Sequence, residues 1–131
     1  MKTAILACKT LRHEIEKACE KHNIDYPIHW IESGLHNYPE KLHKYIQDEL
    51  DNMQDYDRVI LTFGLCGNSL VGVESKNLEL IMPKVDDCIS LLLGSVDERR
   101  KYGGIIYLII ILDNFLSINL VQNLLFCYLV L

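Results

Sequence analysis

Four short apolar runs, separated by longer and more polar segments, constrain the fold of this chain more than any other feature. The runs are TAILAC (3–8), PIHWI (27–31), RVILTFG (58–64) and LELIMP (78–83). Continuous apolar runs of this length are typical of strands that are buried on both faces of a sheet. In the first two intervening segments apolar residues recur at helical spacing, which predicts a helix in each. Thr10 is the expected N-cap of the first helix, and Pro39 suits the first turn of the second.

The order of these elements predicts an α/β fold. Helical crossovers join neighbouring strands that run in parallel, and such crossovers are right-handed. No hairpin signal is present, and Asp86 or Asp87 could cap a further helix after the fourth run. We therefore predict a Rossmann-like, mostly parallel four-stranded sheet with helices on both faces and an apolar C-terminal tail, and we take its strand order to be 2-1-3-4.

The tail departs from the rest of the chain. Residues 105–131 contain a single charged residue, Asp113, so we divide the 131-residue chain into an α/β domain over 1–104 and an apolar segment over 105–131. Three interpretations stay open: two further buried segments, a membrane-spanning helix, or a non-native end from a truncated or frame-shifted reading frame. Polar residues interrupt the apolar sequence in the second half of residues 105–131, which weakens the interpretation as a membrane-spanning helix.

The charge balance and the N-terminus exclude some classes of function. The net charge is −5 and no Lys/Arg run occurs, which disfavours a nucleic-acid partner. The apolar run at the N-terminus is too short for a signal peptide, so we expect a cytoplasmic protein whose only membrane contact would be through the tail. In a reducing compartment the five cysteines should be thiols and not a disulfide framework.

Three cysteines are predicted to meet at one edge of the sheet. Cys8 ends the first strand, Cys66 follows the third, and Cys88 follows the fourth; His36 follows the second. Ligands of open parallel sheets bind at the carboxyl ends of the strands, where these residues lie. Thiolates with one imidazole suit zinc or an iron–sulfur cluster, so a soft-metal site is our first hypothesis.

Two other functions and one structural alternative compete with the metal hypothesis. In a metal-free thiol enzyme Cys66 would be the nucleophile, with Asp87 or His36 as its acid/base partner and Glu14 as a further catalytic candidate. In a small-ligand binding or accessory module, this edge of the sheet would bind an unknown small molecule and catalyse no reaction. The structural alternative is that the thiols are simply small buried side chains.

The glycine-bearing loop GLCGN (64–68) is a second candidate element for ligand binding. Its glycines would allow backbone N–H groups, including those of Gly67 and Asn68, to converge on a ligand, although it matches no phosphate-binding loop. Cys19 lies on the apolar stripe of the first helix and is assigned to the core.

Several segments together resemble a known family. They are Cys8–Leu11–Glu14, IESGLHNYPEKL (31–42), YDRVILTFGLCGN (56–68) and IMPKVDDCISLLLGS (81–95). In this combination they are similar to the domain-of-unknown-function family DUF1638, over roughly residues 1–104. The resemblance implies no established activity. It marks as motif positions Cys8, Glu14, Gly34, His36, Pro39, Cys66, Gly67, Asn68, Asp87 and Cys88.

The chain also departs from that family. Where this chain has Asp86, the family pattern commonly has His, so a histidine ligand is missing there. Residues 104–112 lack the Thr and Gly-Trp stretch that usually follows in members. This departure favours the interpretation of a truncated or degraded end.

Overall fold

A computed structural model describes residues 1–93, 97, 100 and 129–130 of the chain. Residues 1–93 contain four strands, three α-helices and two 3-10 helices. The strands are β1 (Thr3–Cys8), β2 (Ile28–Ile31), β3 (Arg58–Thr62) and β4 (Glu79–Met82), and the short strand β5 (Leu129–Val130) follows near the end of the chain. The helices are α1 (Arg12–Lys21), α2 (Pro39–Asn52) and α3 (Cys88–Leu93), with 3-10 turns at Lys9–Leu11 and Leu35–Asn37.

The first four strands form a parallel sheet in the order β2-β1-β3-β4, which confirms the predicted α/β fold and strand order. In the centre of the sheet Ile5 of β1 lies beside Ile28 of β2 and Ile60 of β3. The strand β5 adds an antiparallel pairing to β4, opposite Ile81 and Met82. The carboxyl ends of the four parallel strands therefore lie along one edge.

Side chains that alternate along β1 divide the core into two layers. Ala4 and Leu6 pack on one face of the sheet with α2, while Ile5 and Ala7 pack on the other face with α1 and α3. This alternation is the pleat of a strand that is buried on both faces. Cys88 contacts both layers, because it lies beyond the end of the sheet where the two layers meet.

The helix termini follow the sequence signals in two cases out of three. Pro39 occupies the first turn of α2, and Asp87 caps α3 by accepting a hydrogen bond from the Ser90 N–H at 2.7 Å. Thr10, expected to cap the first helix, does not do so. Thr10 lies in the 3-10 turn instead. Helix α1 begins two residues after Thr10, at Arg12, and no side chain caps this helix.

The predicted boundary at residues 104 and 105 lies outside the described residues, and so does the fifth cysteine, Cys127. Of the tail only β5 is described, so the three interpretations of the tail stay predictions. Among the described residues, no helix combines the length and the apolar character needed to cross a membrane.

Candidate functional site

The edge formed by the strand ends brings together the first part of the site. Cys8 is the last residue of β1 and pairs with Ile31, the last residue of β2. The neighbouring strand β3 ends at Thr62, which is in register with Ala7. Phe63 and the loop after it therefore begin level with Cys8, so the residues that follow β3 leave the sheet beside this cysteine.

The loop after β3 has an unusual backbone. Cys66, Gly67 and Asn68 all have positive φ angles, of 43°, 71° and 66°. Glycine adopts this region without a steric cost and asparagine tolerates it, so Cys66 is the residue whose backbone conformation is uncommon for its type. Residues in such conformations are concentrated at functional sites, where the surrounding structure imposes them.

A close approach of two backbones aligns this loop with the segment before α3. A Cβ atom on Gly64 would lie 2.5 Å from the N, Cα and C atoms of Asp87, so only glycine fits there. Beyond this contact the Leu65 N–H donates to the carbonyl of Val85 at 3.1 Å, and the Cys66 N–H donates to the carbonyl of Asp86 at 2.9 Å. These contacts hold Cys66 beside Cys88.

The two thiols form a hydrogen-bonded pair. The Sγ atoms of Cys66 and Cys88 are 3.7 Å apart, and both side chains are half-buried. The hydrogen bond from the Cys88 thiol, aided by the Cys88 backbone N–H, lowers the pKa of Cys66 although burial opposes this. The same hydrogen bond, together with burial, raises the pKa of Cys88. The pair therefore loses its first proton, from Cys66, at a lower pH than an ordinary cysteine does, and its second, from Cys88, at a higher pH.

A small cavity adjoins this pair. Its volume is about 10 Å³, and its polar lining comes from Cys8, Glu32, His36, Cys66 and Cys88. Apolar side chains complete the wall, namely Ile31, Leu35, Leu42 and Phe63. A volume of this size holds about one water-sized particle. All three cysteines and the histidine predicted for the site thus line one cavity.

The remaining polar groups of the cavity are turned toward other partners or toward solvent. The Cys8 thiol donates to Thr10 Oγ1 at 3.3 Å, and the exposed Glu32 is in an ion pair with Lys9. His36 is exposed, on the 3-10 turn that Gly34 begins with a φ of 90°. As the described side chains stand, no three Cys, His, Asp or Glu groups are arranged to hold a metal ion.

The other predicted residues are not in the wall of the cavity. Gly67 packs against Pro39, where a Cβ atom would come within 2.9 Å of the proline Cγ, and Asn68 is exposed beside it. Asp87 caps α3, and its charge raises the pKa of both paired thiols to a smaller extent. Glu14, half-buried on α1, is not among the residues that line the cavity.

Glu32 and Thr10 are parts of the site that the predicted set does not include. Glu32 follows β2 directly, so the strand-edge argument that selects His36 applies to it equally. Thr10 carried a helix-capping signal in the sequence, and its contact with Cys8 follows from the 3-10 turn that replaces the first turn of a helix there. Cys19 lies on α1 in the core layer, as predicted, and burial raises its pKa.

The chain was compared with curated proteins, with solved structures and with models of protein families. No curated protein and no solved structure matches it. The model of one protein family, described as "Protein of unknown function (DUF1638)", matches residues 30–111, which is more than half of the chain and contains His36, Cys66 and Cys88. This chain belongs to the DUF1638 family.

Proposed function

We propose that this protein binds a single soft metal ion, with zinc as the first choice, through Cys66 and Cys88. The observation that carries the proposal is the 3.7 Å between their sulfur atoms beside a cavity that Cys8 and His36 also line. Zinc–sulfur bonds are about 2.3 Å long, so two thiolates of one tetrahedral zinc are about 3.8 Å apart. The pair has the spacing that a shared zinc ion needs.

The chemistry of the pair also supports a metal. Thiolates, not thiols, bind zinc, and the lowered pKa of Cys66 supplies one at modest cost. The second proton has to be displaced from Cys88, whose pKa is raised, so binding should release protons and strengthen with pH. Free thiols also require a reducing compartment, and the cytoplasm is our proposed location.

The remaining ligands would come from the cavity wall. Cys8 would have to exchange its hydrogen bond to Thr10 for the metal, and the exposed His36 would have to turn inward. Both changes are side-chain rotations at residues that already border the cavity. An ion can fill a space of about 10 Å³, whereas an iron–sulfur cluster or an organic ligand needs a much larger one, so a single ion is favoured over both.

Cobalt binding tests this proposal directly. The full chain, reduced and freed of metal by a chelator, is titrated with Co²⁺, and thiolate-to-cobalt absorption is followed in the near ultraviolet. We expect saturation at about one equivalent, and displacement of cobalt by zinc. Cys66→Ser and Cys88→Ser should lose the absorption, while Cys19→Ser, which alters a thiol in the core layer on α1, should retain it. Saturation below about a tenth of an equivalent, or full binding by Cys66→Ser, would refute the proposal.

A metal-free thiol enzyme is the second candidate, and the lowered pKa of Cys66 favours it. Cys66 would attack an electrophilic substrate as the thiolate, and the raised pKa of Cys88 leaves a proton beside it for a leaving group. Alkylation by iodoacetamide tests this alternative. Cys66 should react faster at pH 6.5 than a free cysteine does, and an equal or slower rate would dismiss the enzyme.

A further inference from the structure

We propose that Cys66 and Cys88 are also a redox-active pair, which a hydroperoxide converts to an intramolecular disulfide. This goes beyond the metal site, because it is a covalent reaction of the metal-free protein with an oxidant. The geometry that supports it is the contact of two free thiols, at 3.7 Å, from segments whose backbones are tied together.

The backbone contacts make closure of the disulfide feasible. The bond needs a sulfur–sulfur distance of about 2.05 Å and cysteine Cα atoms within about 7 Å of each other. Gly64 touches the backbone of Asp87, and the Cys66 N–H donates to the carbonyl of Asp86, so the two cysteine backbones run side by side. The sulfurs then have to approach by less than the width of one atom.

The two cysteines have different roles in the reaction. The Cys66 thiolate attacks the outer oxygen of the hydroperoxide; an S–O bond forms, the O–O bond breaks, and the other oxygen leaves as an alcohol, or as water from hydrogen peroxide. Cys66 is then a sulfenic acid. The Cys88 sulfur attacks the Cys66 sulfur, the S–S bond forms, and the hydroxyl leaves with the Cys88 proton as water. Two thiols lose two electrons and two protons, and the hydroperoxide accepts both.

The surroundings of Cys66 and Cys88 support these two different roles. Cys66 lies in the loop after β3, next to the exposed Gly67, whereas Cys88 begins α3 and packs against both core layers. A hydroperoxide therefore reaches Cys66 first, and Cys88 lies behind it at 3.7 Å. Among the described residues, the two other thiols are placed less well for either step. Cys8 is turned toward Thr10, and burial raises the pKa of Cys19.

Peptide mapping after oxidation tests the proposal. The reduced full chain, kept metal-free with a chelator, is treated with hydrogen peroxide, quenched by alkylation and digested without reductant. We expect a peptide pair joined through Cys66 and Cys88, with the loss of two hydrogens, as the dominant disulfide. A dominant disulfide between any other cysteines, or over-oxidation of Cys66 without a disulfide, would overturn the proposal. This measurement needs no variant, so it holds even if a substitution disturbs folding.

Two variants and one control then assign the roles. In Cys88→Ser the reaction should stop at the sulfenic acid of Cys66, which dimedone traps, whereas Cys66→Ser should give no dimedone adduct at position 88. Cys19→Ser should form the disulfide as the wild type does. Trapping at Cys88 in place of Cys66 would contradict the assigned roles. Failure of cobalt binding leaves these outcomes unchanged, so the two proposals fail separately.

Discussion

The sulfur atoms of Cys66 and Cys88 lie 3.7 Å apart, although the residues are 22 positions apart in the chain and follow different strands. Neither cysteine belongs to a local metal-binding or redox motif such as Cys-x-x-Cys. The contact arises because β3 and β4 are parallel neighbours, so the chain leaves both strands at the same edge. Because Gly64 has no side chain, the segments that follow β3 and β4 can come into contact.

The first prediction concerns the hydrogen bond between the two thiols. Replacing Cys88 by Ala removes the donor that lowers the pKa of Cys66, so this pKa should rise toward the ordinary cysteine value of about 8.5. Cys88→Ser keeps a hydroxyl donor and should leave the pKa of Cys66 lower than Cys88→Ala does. The pH dependence of Cys66 alkylation, followed by mass spectrometry, measures this. Identical pKa values in the two variants would contradict the role assigned to the Cys88 side chain.

The second prediction is a pH dependence of stability in the metal-free, reduced protein. Cys66 has a folded-state pKa below its unfolded value, so its contribution grows as pH rises toward about 8.5 and is lost as pH falls. Cys88 has a raised folded-state pKa, so its contribution is intact below about 8.5 and declines at higher pH. The pair should therefore contribute most near the ordinary thiol pKa.

Denaturant unfolding across this pH range measures that contribution. The free energy of unfolding of the wild type, minus that of the Cys66→Ala/Cys88→Ala double variant, should pass through a maximum near pH 8.5 (about the unfolded thiol pKa). Subtraction removes the titration of groups that both proteins share. A difference that does not vary with pH would show that the paired thiols titrate as they do in the unfolded chain.

The third prediction concerns Gly64. A Cβ atom at this position would lie 2.5 Å from three backbone atoms of Asp87, so Gly64→Ala must force the loop away from α3. Overpacking of this kind typically costs about 1–3 kcal/mol of stability. We also expect the pKa of Cys66 to rise, because its hydrogen bond with Cys88 is stretched.

Gly72→Ala is the matched control for this substitution. Gly72 has a φ of 80°, but the nearest atom to its added Cβ is His43 Cε1 at 4.0 Å, an ordinary contact. The control should cost about 1–2 kcal/mol for the backbone conformation alone and leave the Cys66 pKa unchanged. If both variants leave that pKa unchanged, the close approach at Gly64 does not position the thiol pair.

The fourth prediction tests the cap of α3. Asp87→Ala removes the acceptor of the Ser90 N–H and should lower the free energy of unfolding by about 1 kcal/mol. Asp87→Asn keeps a side-chain acceptor and should recover most of this loss. Asp86→Ala, at the exposed neighbouring position, should change stability by less than about 0.5 kcal/mol. Equal losses at positions 86 and 87 in chemical denaturation would argue against the cap.

The fifth prediction joins the two proposals, since zinc and peroxide would compete for the same sulfur atoms. One equivalent of Zn²⁺ should slow the formation of the Cys66–Cys88 disulfide, while the oxidation rate of Cys19 should not change. Excess zinc, at about a hundred times its dissociation constant, should also raise the free energy of unfolding by about 2.7 kcal/mol. A disulfide that forms at the same rate with and without zinc would count against the metal site and leave the redox pair intact.

Much of the fold could be predicted because its signals are local. The buried strands are continuous apolar runs, and the first two helices carry apolar residues at helical spacing. Long connections then favour parallel neighbouring strands, and parallel strands place Cys8, Cys66 and Cys88 at one edge. Thr10 shows the limit of such signals, because its capping pattern is overridden by a 3-10 turn in which its hydroxyl accepts from Cys8.

The sequence by itself therefore determined the α/β class and the edge at which three thiols and a histidine would be found, since these depend on periodicity and connection length. The strand order is only assumed from the sequence, and the tertiary structure decided it. Only the tertiary structure decided which of the thiols touch. That depends on loop conformations, namely the positive φ angles from Cys66 to Asn68 and the contact of Gly64 with Asp87, which carry no periodic signal. A sulfur–sulfur contact is set by distances of a few tenths of an ångström between segments far apart in the chain, and packing alone fixes such distances.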